Sequence, residues 1–194
     1  LRQRQRQTIN ANRPDVRFND VLARTANTAS DQQALSVAIE ILDPEEYIRD
    51  ALVLASEQVL AIDGERVSFF HETFFDYTFA RQWLSRQQSM VEFLGAQEQE
   101  LFRRAQVRQI LELLRERDPE RFRREVEAVL TGSSMRLHIK ETVINVFAYV
   151  NAPTDEDLDL VLRIGVANST FTSRLWLQIA DQTWFAGFNQ SDAI

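Results

Sequence analysis

The chain has 194 residues, 44% of them hydrophobic and 26% charged, with a formal net charge of −7 and no cysteine. Those values fit one ordinary folding domain or two small ones, and they exclude a disordered or fibrous class, disulfides, thiolate metal sites and thiol catalysis. No apolar run nears the roughly 20 residues that cross a bilayer, and the start Leu1-Arg2-Gln3-Arg4-Gln5-Arg6-Gln7 has no signal-peptide character, so a cytoplasmic protein without a membrane segment is expected.

Opening on Leu1 instead of Met and stopping at Asp192-Ala193-Ile194 predicts a piece of a longer protein. Five Gly and four Pro leave few breakers, which favours long helices and a mainly α fold. The acidic balance argues against nucleic acid as the main partner, since that affinity comes from clustered basic residues. Arginines do concentrate at Arg2, Arg4 and Arg6 and again between Arg103 and Arg124. The second group is interleaved with Glu112, Glu116, Glu120, Glu125 and Glu127, the pattern of a salt-bridged, solvated helix face.

In chain order, residues 1–15 read as a linker, closed by Asn10-Ala11-Asn12-Arg13-Pro14. Val16, Phe18, Val21 and Leu22 begin an amphipathic helix that dissolves into the polar stretch from Thr25 to Gln33. A short apolar run, Ala34-Leu35-Ser36-Val37-Ala38, leads to Asp43-Pro44-Glu45-Glu46, where an N-cap acid, a first-position proline and two first-turn acids announce a helix to about Ser56. Its inward residues are Tyr47, Ile48, Ala51, Leu52 and Leu54. The period then changes to strand, with Asp63-Gly64 as a two-residue hairpin turn between Gln58-Val59-Leu60-Ala61-Ile62 and Glu65-Arg66-Val67-Ser68-Phe69-Phe70. This is the one hairpin the sequence announces. The next helix, from Glu72 to about Gln87, stacks Phe75, Phe79 and Trp83 at four-residue spacing beside Phe74, Tyr77 and Leu84, a core stripe. Helices, one hairpin and a further helix follow the order of a winged-helix module, assigned here to residues 16–96.

After a polar connector around Gln97 to Gln99 the chain repeats with a period of 36 residues. Val107, Ile110, Leu111 and Leu114 map onto Val143, Val146, Phe147 and Val150, while Phe122, Val126 and Leu130 map onto Leu158, Leu162 and Val166. Thr131-Gly132-Ser133-Ser134 maps onto Ala167-Asn168-Ser169-Thr170, placing Gly or Asn where a left-handed residue closes one helix and Ser or Thr where an N-cap opens the next. Asp118-Pro119 and Thr154-Asp155 start the second helix of each pair. Residues 97–194 therefore read as an α-solenoid of HEAT-like helix-turn-helix repeats. A partial third unit carries Phe171, Leu175, Trp176, Ile179, Trp184, Phe185 and Phe188, so apolar that self-association or further repeats are expected to cover it.

Catalytic signatures are missing. The glycines are too far apart for a phosphate-cradling loop, and His71-Glu72-Thr73-Phe74-Phe75 departs from the zinc-protease motif because Phe75 stands where the second histidine would be. The second histidine of the chain, His138, reads as a partly buried repeat residue, and Asp155-Glu156-Asp157 sit at a helix start where the dipole explains them. No metal site and no enzymatic activity of this segment are expected.

The string Val67-Ser68-Phe69-Phe70-His71-Glu72-Thr73-Phe74-Phe75-Asp76-Tyr77-Thr78-Phe79-Ala80-Arg81 resembles the end of the winged-helix domain in NACHT-type STAND ATPases, where a phenylalanine–histidine pair precedes an aromatic helix. The likeness implies an ATP-dependent signalling switch, of a kind used in bacterial defence, whose C-terminal repeats sense a protein or ligand. It further implies that His71 reaches the nucleotide β-phosphate in the intact protein. ATP or ADP and Mg²⁺ would then be held by an ATPase core N-terminal to Leu1, with no cofactor in this segment. The other reading, a winged-helix DNA-binding protein with a helical oligomerisation domain, requires a basic wing and recognition helix. The wing instead carries Asp63, Glu65 and only Arg66, and Glu45, Glu46 and Asp50 face a single Arg49 on the helix.

Overall fold

Among the described residues, 17–43, 45–167, 169–180 and 184, the computed structural model holds nine α-helices, one 3-10 helix and a three-stranded antiparallel sheet. The expected linker, Pro44, Asn168, Phe185 and Phe188 lie outside the described residues. The fold is mainly α, with a β-hairpin and helical repeats. It divides into two compact units, Leu1–Phe79 and Ala80–Ile194, and the division falls inside one helix.

The first unit begins with α1 (Phe18–Asp31), which does not dissolve at Thr25 as its polarity predicts. Thr25 Oγ1 donates to the Val21 carbonyl at 2.9 Å within the helix, and Ala26, Ala29 and Ser30 are buried beside Val21. Small side chains thus form a packed face that hydropathy reads as surface. The helix closes on Gln33, left-handed at φ 49, with the Ala34 N–H on the Ala29 carbonyl at 2.9 Å and the Gln33 N–H on Ser30 at 3.1 Å. The run after it is partly strand: β1 (Ser36–Ala38) pairs with β3 (Arg66–Phe69), so the hairpin that β3 forms with β2 (Leu60–Asp63) is extended to a sheet of order β1-β3-β2. Arg66 secures that edge, its Nε donating to Ser36 Oγ at 2.8 Å and an Nη to the Ser36 carbonyl.

A 3-10 turn (Ile39–Leu42) leads to α2 (Glu45–Ser56). Ala51 and Leu54 are buried as expected, but Leu52 is exposed and Asp50 is buried, so the inward stripe runs through positions 47, 50, 51 and 54. Tyr47 lies under Arg24, whose guanidinium stands 4.7 Å from the ring centre. A second left-handed glutamine, Gln58 at φ 59, closes α2 with Val59 N–H on the Leu54 carbonyl at 2.9 Å. In the hairpin of β2 (Leu60–Asp63) and β3 (Arg66–Phe69), Asp63 pairs with Arg66, so the turn is Gly64-Glu65, one residue later than the Asp63-Gly64 expected. Gly64 has φ +55, the conformation glycine adopts without strain. Phe69 then packs on Phe74 and Phe75 of α3 (Glu72–Leu84), at centroid distances of 5.9 and 5.6 Å. Phe75 and Phe79 are buried core, as the stripe predicts.

The second unit opens with the last turn of α3, whose Trp83 is fully buried. A short helix that the sequence pattern does not reveal, α4 (Met90–Gly95), begins at a capping box: Glu92 N–H donates to Ser89 Oγ at 3.2 Å and Ser89 N–H to Glu92 Oε2 at 2.8 Å. This backbone and side-chain bonding of Ser89 holds the Glu92 carboxyl below its ordinary pKa. Two helix pairs follow, α5 (Arg103–Arg117) with α6 (Pro119–Thr131) and α7 (Leu137–Ala148) with α8 (Asp155–Ala167), and then α9 (Ser169–Ile179).

In the first helices the repeat holds at two of the four predicted pairs, Val107 with Val143 and Leu111 with Phe147, all buried, whereas Val146 and Val150, which answer to buried Ile110 and Leu114, are half-buried. In the second helices Phe122 and Leu158 are both buried at the predicted 36, but beyond them the buried face recurs at 35: Val126 answers to Val161 and Val129 to Ile164, while Leu162 is exposed and Val166 is 90% exposed. One residue turns a helix face by about 100°, and the cause is Asp157. In that shifted register it occupies the place corresponding to Phe122 and is drawn inward by Arg115 and Arg123, at 2.7 and 3.5 Å.

The junctions also depart from expectation. Asp118 does cap α6, accepting the Arg121 N–H at 2.9 Å ahead of Pro119. Gly132, however, is not left-handed (φ −62, ψ 127), and glycine is needed there because a Cβ would lie 2.9 Å from the Ala128 carbonyl oxygen. Neither Ser133 nor Ser134 caps α7, whose flanking residue is Arg136. Gln99 instead holds the turn, accepting the Arg136 N–H at 2.8 Å and donating to the Ser134 carbonyl at 3.0 Å. Of the third unit, Leu175, Ile179 and Trp184 are buried, Trp184 donating to the Ala148 carbonyl at 3.1 Å, while Trp176 and Leu177 are exposed. The Phe171 side chain lies outside what is described.

Candidate functional site

His71 stands between the end of β3 and the first residue of α3. Its backbone carbonyl accepts the N–H groups of Phe74 and Phe75 at 3.0 and 3.2 Å, so it opens the helix through the main chain. The ring packs edge-on against Phe70, 4.8 Å between centroids at 87°, and is exposed. Neither ring nitrogen has a hydrogen-bond partner among the described residues. The imidazole is therefore oriented by an aromatic neighbour while both nitrogens remain available, an arrangement that can donate to a phosphate oxygen. It supplies a single contact. No group of three His, Cys, Asp or Glu side chains placed to hold a metal occurs among the described residues.

A second candidate lies within the second unit, a cleft of about 780 Å³ between α5 and α7. That volume falls in the range of ligand pockets, about 300–1,000 Å³. Its apolar lining includes Phe122, Val146 and Val150. Arg115 is locked at one end by a two-point pair with Asp157 (2.9 and 2.7 Å), a bond to the Ala152 carbonyl at 3.2 Å and a stack over Phe122 at 5.4 Å. Asp157 is fully buried and also accepts the Thr154 N–H at 3.0 Å, far more than the dipole role the sequence assigns it. Arg104 leans on Thr142 Oγ1 at 3.3 Å, and Arg108 has no partner among the described residues.

The arginine-rich stretch is thus two things. Arg121 and Arg124 form the expected pairs with Glu125 and Glu120, both at 3.7 Å, whereas Arg104 and Arg108 pair with no carboxylate among the described residues. The signal available in the sequence was spacing: Arg104, Arg108, Glu112 and Glu116 recur every fourth position and share one stripe. His138, read as partly buried, is so, with its Nε2 enclosed and without a hydrogen bond.

No protein-family model, no curated protein and no solved structure matches the chain.

Proposed function

We propose that this chain is the non-catalytic regulatory and sensor segment of a STAND ATPase of the NACHT type. In that reading the first unit locks a nucleotide-bound resting state and the helical repeats engage a partner or ligand. The observation that carries it is His71, which follows the wing, opens the aromatic helix and presents a ring packed edge-on against Phe70 with no hydrogen-bond partner on either nitrogen among the described residues. Supporting it is the element order of the first unit, helix, strand, short turn, helix and hairpin, which is that of a winged helix. The α2 face offers no basic surface to DNA, since Arg49 is paired with Glu45 at 3.1 Å and Leu52 is exposed beside them.

The nucleotide would be held mainly by the ATPase core of the parent protein, with Mg²⁺, and His71 would add one charge-assisted contact. Such a contact is worth roughly 1.5–3 kcal/mol, so His71→Ala in the parent protein is expected to weaken ADP binding by about 10- to 100-fold and to favour the active state. Calorimetric titration with ADP tests it. Equal affinity in the two proteins would reduce His71 to a helix-opening residue. The 194-residue chain alone is expected to show no ATP turnover above a mock preparation.

A further inference from the structure

The cleft between α5 and α7 is charged at both ends with opposite sign. We propose that it binds a short peptide in extended conformation, carrying an acidic side chain at one position and a basic side chain four residues away. The proposal does not depend on the reading of His71 and stands or falls separately.

Along α5 the cleft presents Arg104 and Arg108 and then Glu112 and Glu116. The remaining cation, Arg115, is held on buried Asp157, which it shares with Arg123, and it makes no ion pair with Glu112 or Glu116 among the described residues. Nor do the exposed charges cancel one another: Glu112 accepts from Gln109 at 3.3 Å, and Arg108 and Glu116 have no partner among the described residues. A helix rises 1.5 Å per residue, which places Arg108 and Glu116 about 12 Å apart along the axis. In an extended chain, side chains on one face recur every second residue at about 3.3 Å per residue, so positions four apart stand about 13 Å apart on the same side. The two spacings match. A free amino acid or other small zwitterion is too short to span them, and a nucleic-acid strand, negative throughout, would meet Glu112 and Glu116.

The opposite wall suits a main chain. Asn145 lies exposed on α7, its side chain without a partner among the described residues, and the side-chain amide offers both a donor and an acceptor, the complement of a peptide unit. Tyr149, one turn further on, is 80% exposed, a ring available to cover the bound backbone. Val146 and Val150 add apolar lining for the intervening side chain.

The test is an affinity selection of displayed random peptides of about seven residues, long enough to span both charged ends, on the whole 194-residue chain, followed by sequencing. Expected is enrichment of an acidic residue with a basic one four positions away. Arg108→Glu should reverse the first preference and Glu116→Arg the second. For a peptide from the enriched set, Arg108→Ala should weaken binding about tenfold or more. Both positions are exposed, and a thermal melt checks each variant; should one fail to fold, the other and Asn145→Ala carry the same reading. No consensus, a consensus unmoved by the charge reversals, or a single-stranded oligonucleotide that competes for the cleft would each overturn the proposal.

Discussion

Replacing Arg121 should markedly destabilise the second unit. Its guanidinium donates to three carbonyls at the end of α3 and just beyond: Leu84 at 3.0 Å, Arg86 at 3.1 Å and Gln88 at 3.0 Å. It also stands 4.6 Å over the Trp83 ring, with its side chain only 16% exposed. Helix C-terminal carbonyls lack intrahelical donors and favour a cation. Hydrogen bonds involving a charged group contribute about 1.5–3 kcal/mol each, and orphaned acceptors carry their own cost. Discounting for water at a partly open site, Arg121→Ala should lose about 3–5 kcal/mol. Lysine has no planar fork and reaches one of the three carbonyls, so Arg121→Lys should recover only about a third of that loss. All three tryptophans, Trp83, Trp176 and Trp184, lie in the second unit, so urea unfolding followed by tryptophan fluorescence reports on it directly. A loss under about 1 kcal/mol for the alanine variant, or full rescue by lysine, would refute the reasoning.

Gln58→Gly should stabilise the first unit by about 1 kcal/mol, because the left-handed φ of 59 that closes α2 strains any residue with a Cβ; a chemical melt followed by far-ultraviolet circular dichroism checks it, and a loss of stability would contradict the closure described. Lys140 is buried on α7, its Nζ donating to the Leu130 carbonyl at 3.0 Å, and burial holds its pKa below the ordinary value. The unfolded chain therefore binds that proton more tightly than the native one. Native stability should rise with pH from the lowered native value up to the ordinary lysine value of about 10.4. The difference between wild type and Lys140→Met should move in favour of wild type across that window in urea melts, and parallel curves would refute it.

What the sequence made legible is what was written in large apolar side chains. Phe75, Phe79 and Trp83 at four-residue spacing announced a buried stripe, and each is buried. The second half of α1 was not legible because its packed face is Thr25, Ala26, Ala29 and Ser30, residues whose fit depends on a close neighbour and not on hydropathy. Strand β1 offered one buried residue, Val37, too little for an alternation to show; it exists because β3 pairs with it and Arg66 grips Ser36. The left-handed closures fell on Gln33 and Gln58, a residue type that carries no turn signal, while Gly132 proved to answer a close backbone approach. Of the candidate sites, the place of His71 was legible from its position between strand and helix. The cleft was not, since it needs α5 and α7 brought side by side.

Asp157 joins these last points. A hydropathy repeat assumes that equivalent positions keep equivalent polarity, and here an acid takes the place of Phe122, so the apolar pattern slips by one residue and misplaces Leu162 and Val166. The same carboxylate holds Arg115, together with Arg123. Had a phenylalanine stood there, Arg115 would face the cleft as a third cation beside Arg104 and Arg108, and the end that Glu112 and Glu116 now make acidic would lose most of its charge. The substitution that hides the repeat from the sequence is therefore the one that gives the cleft two ends of opposite sign.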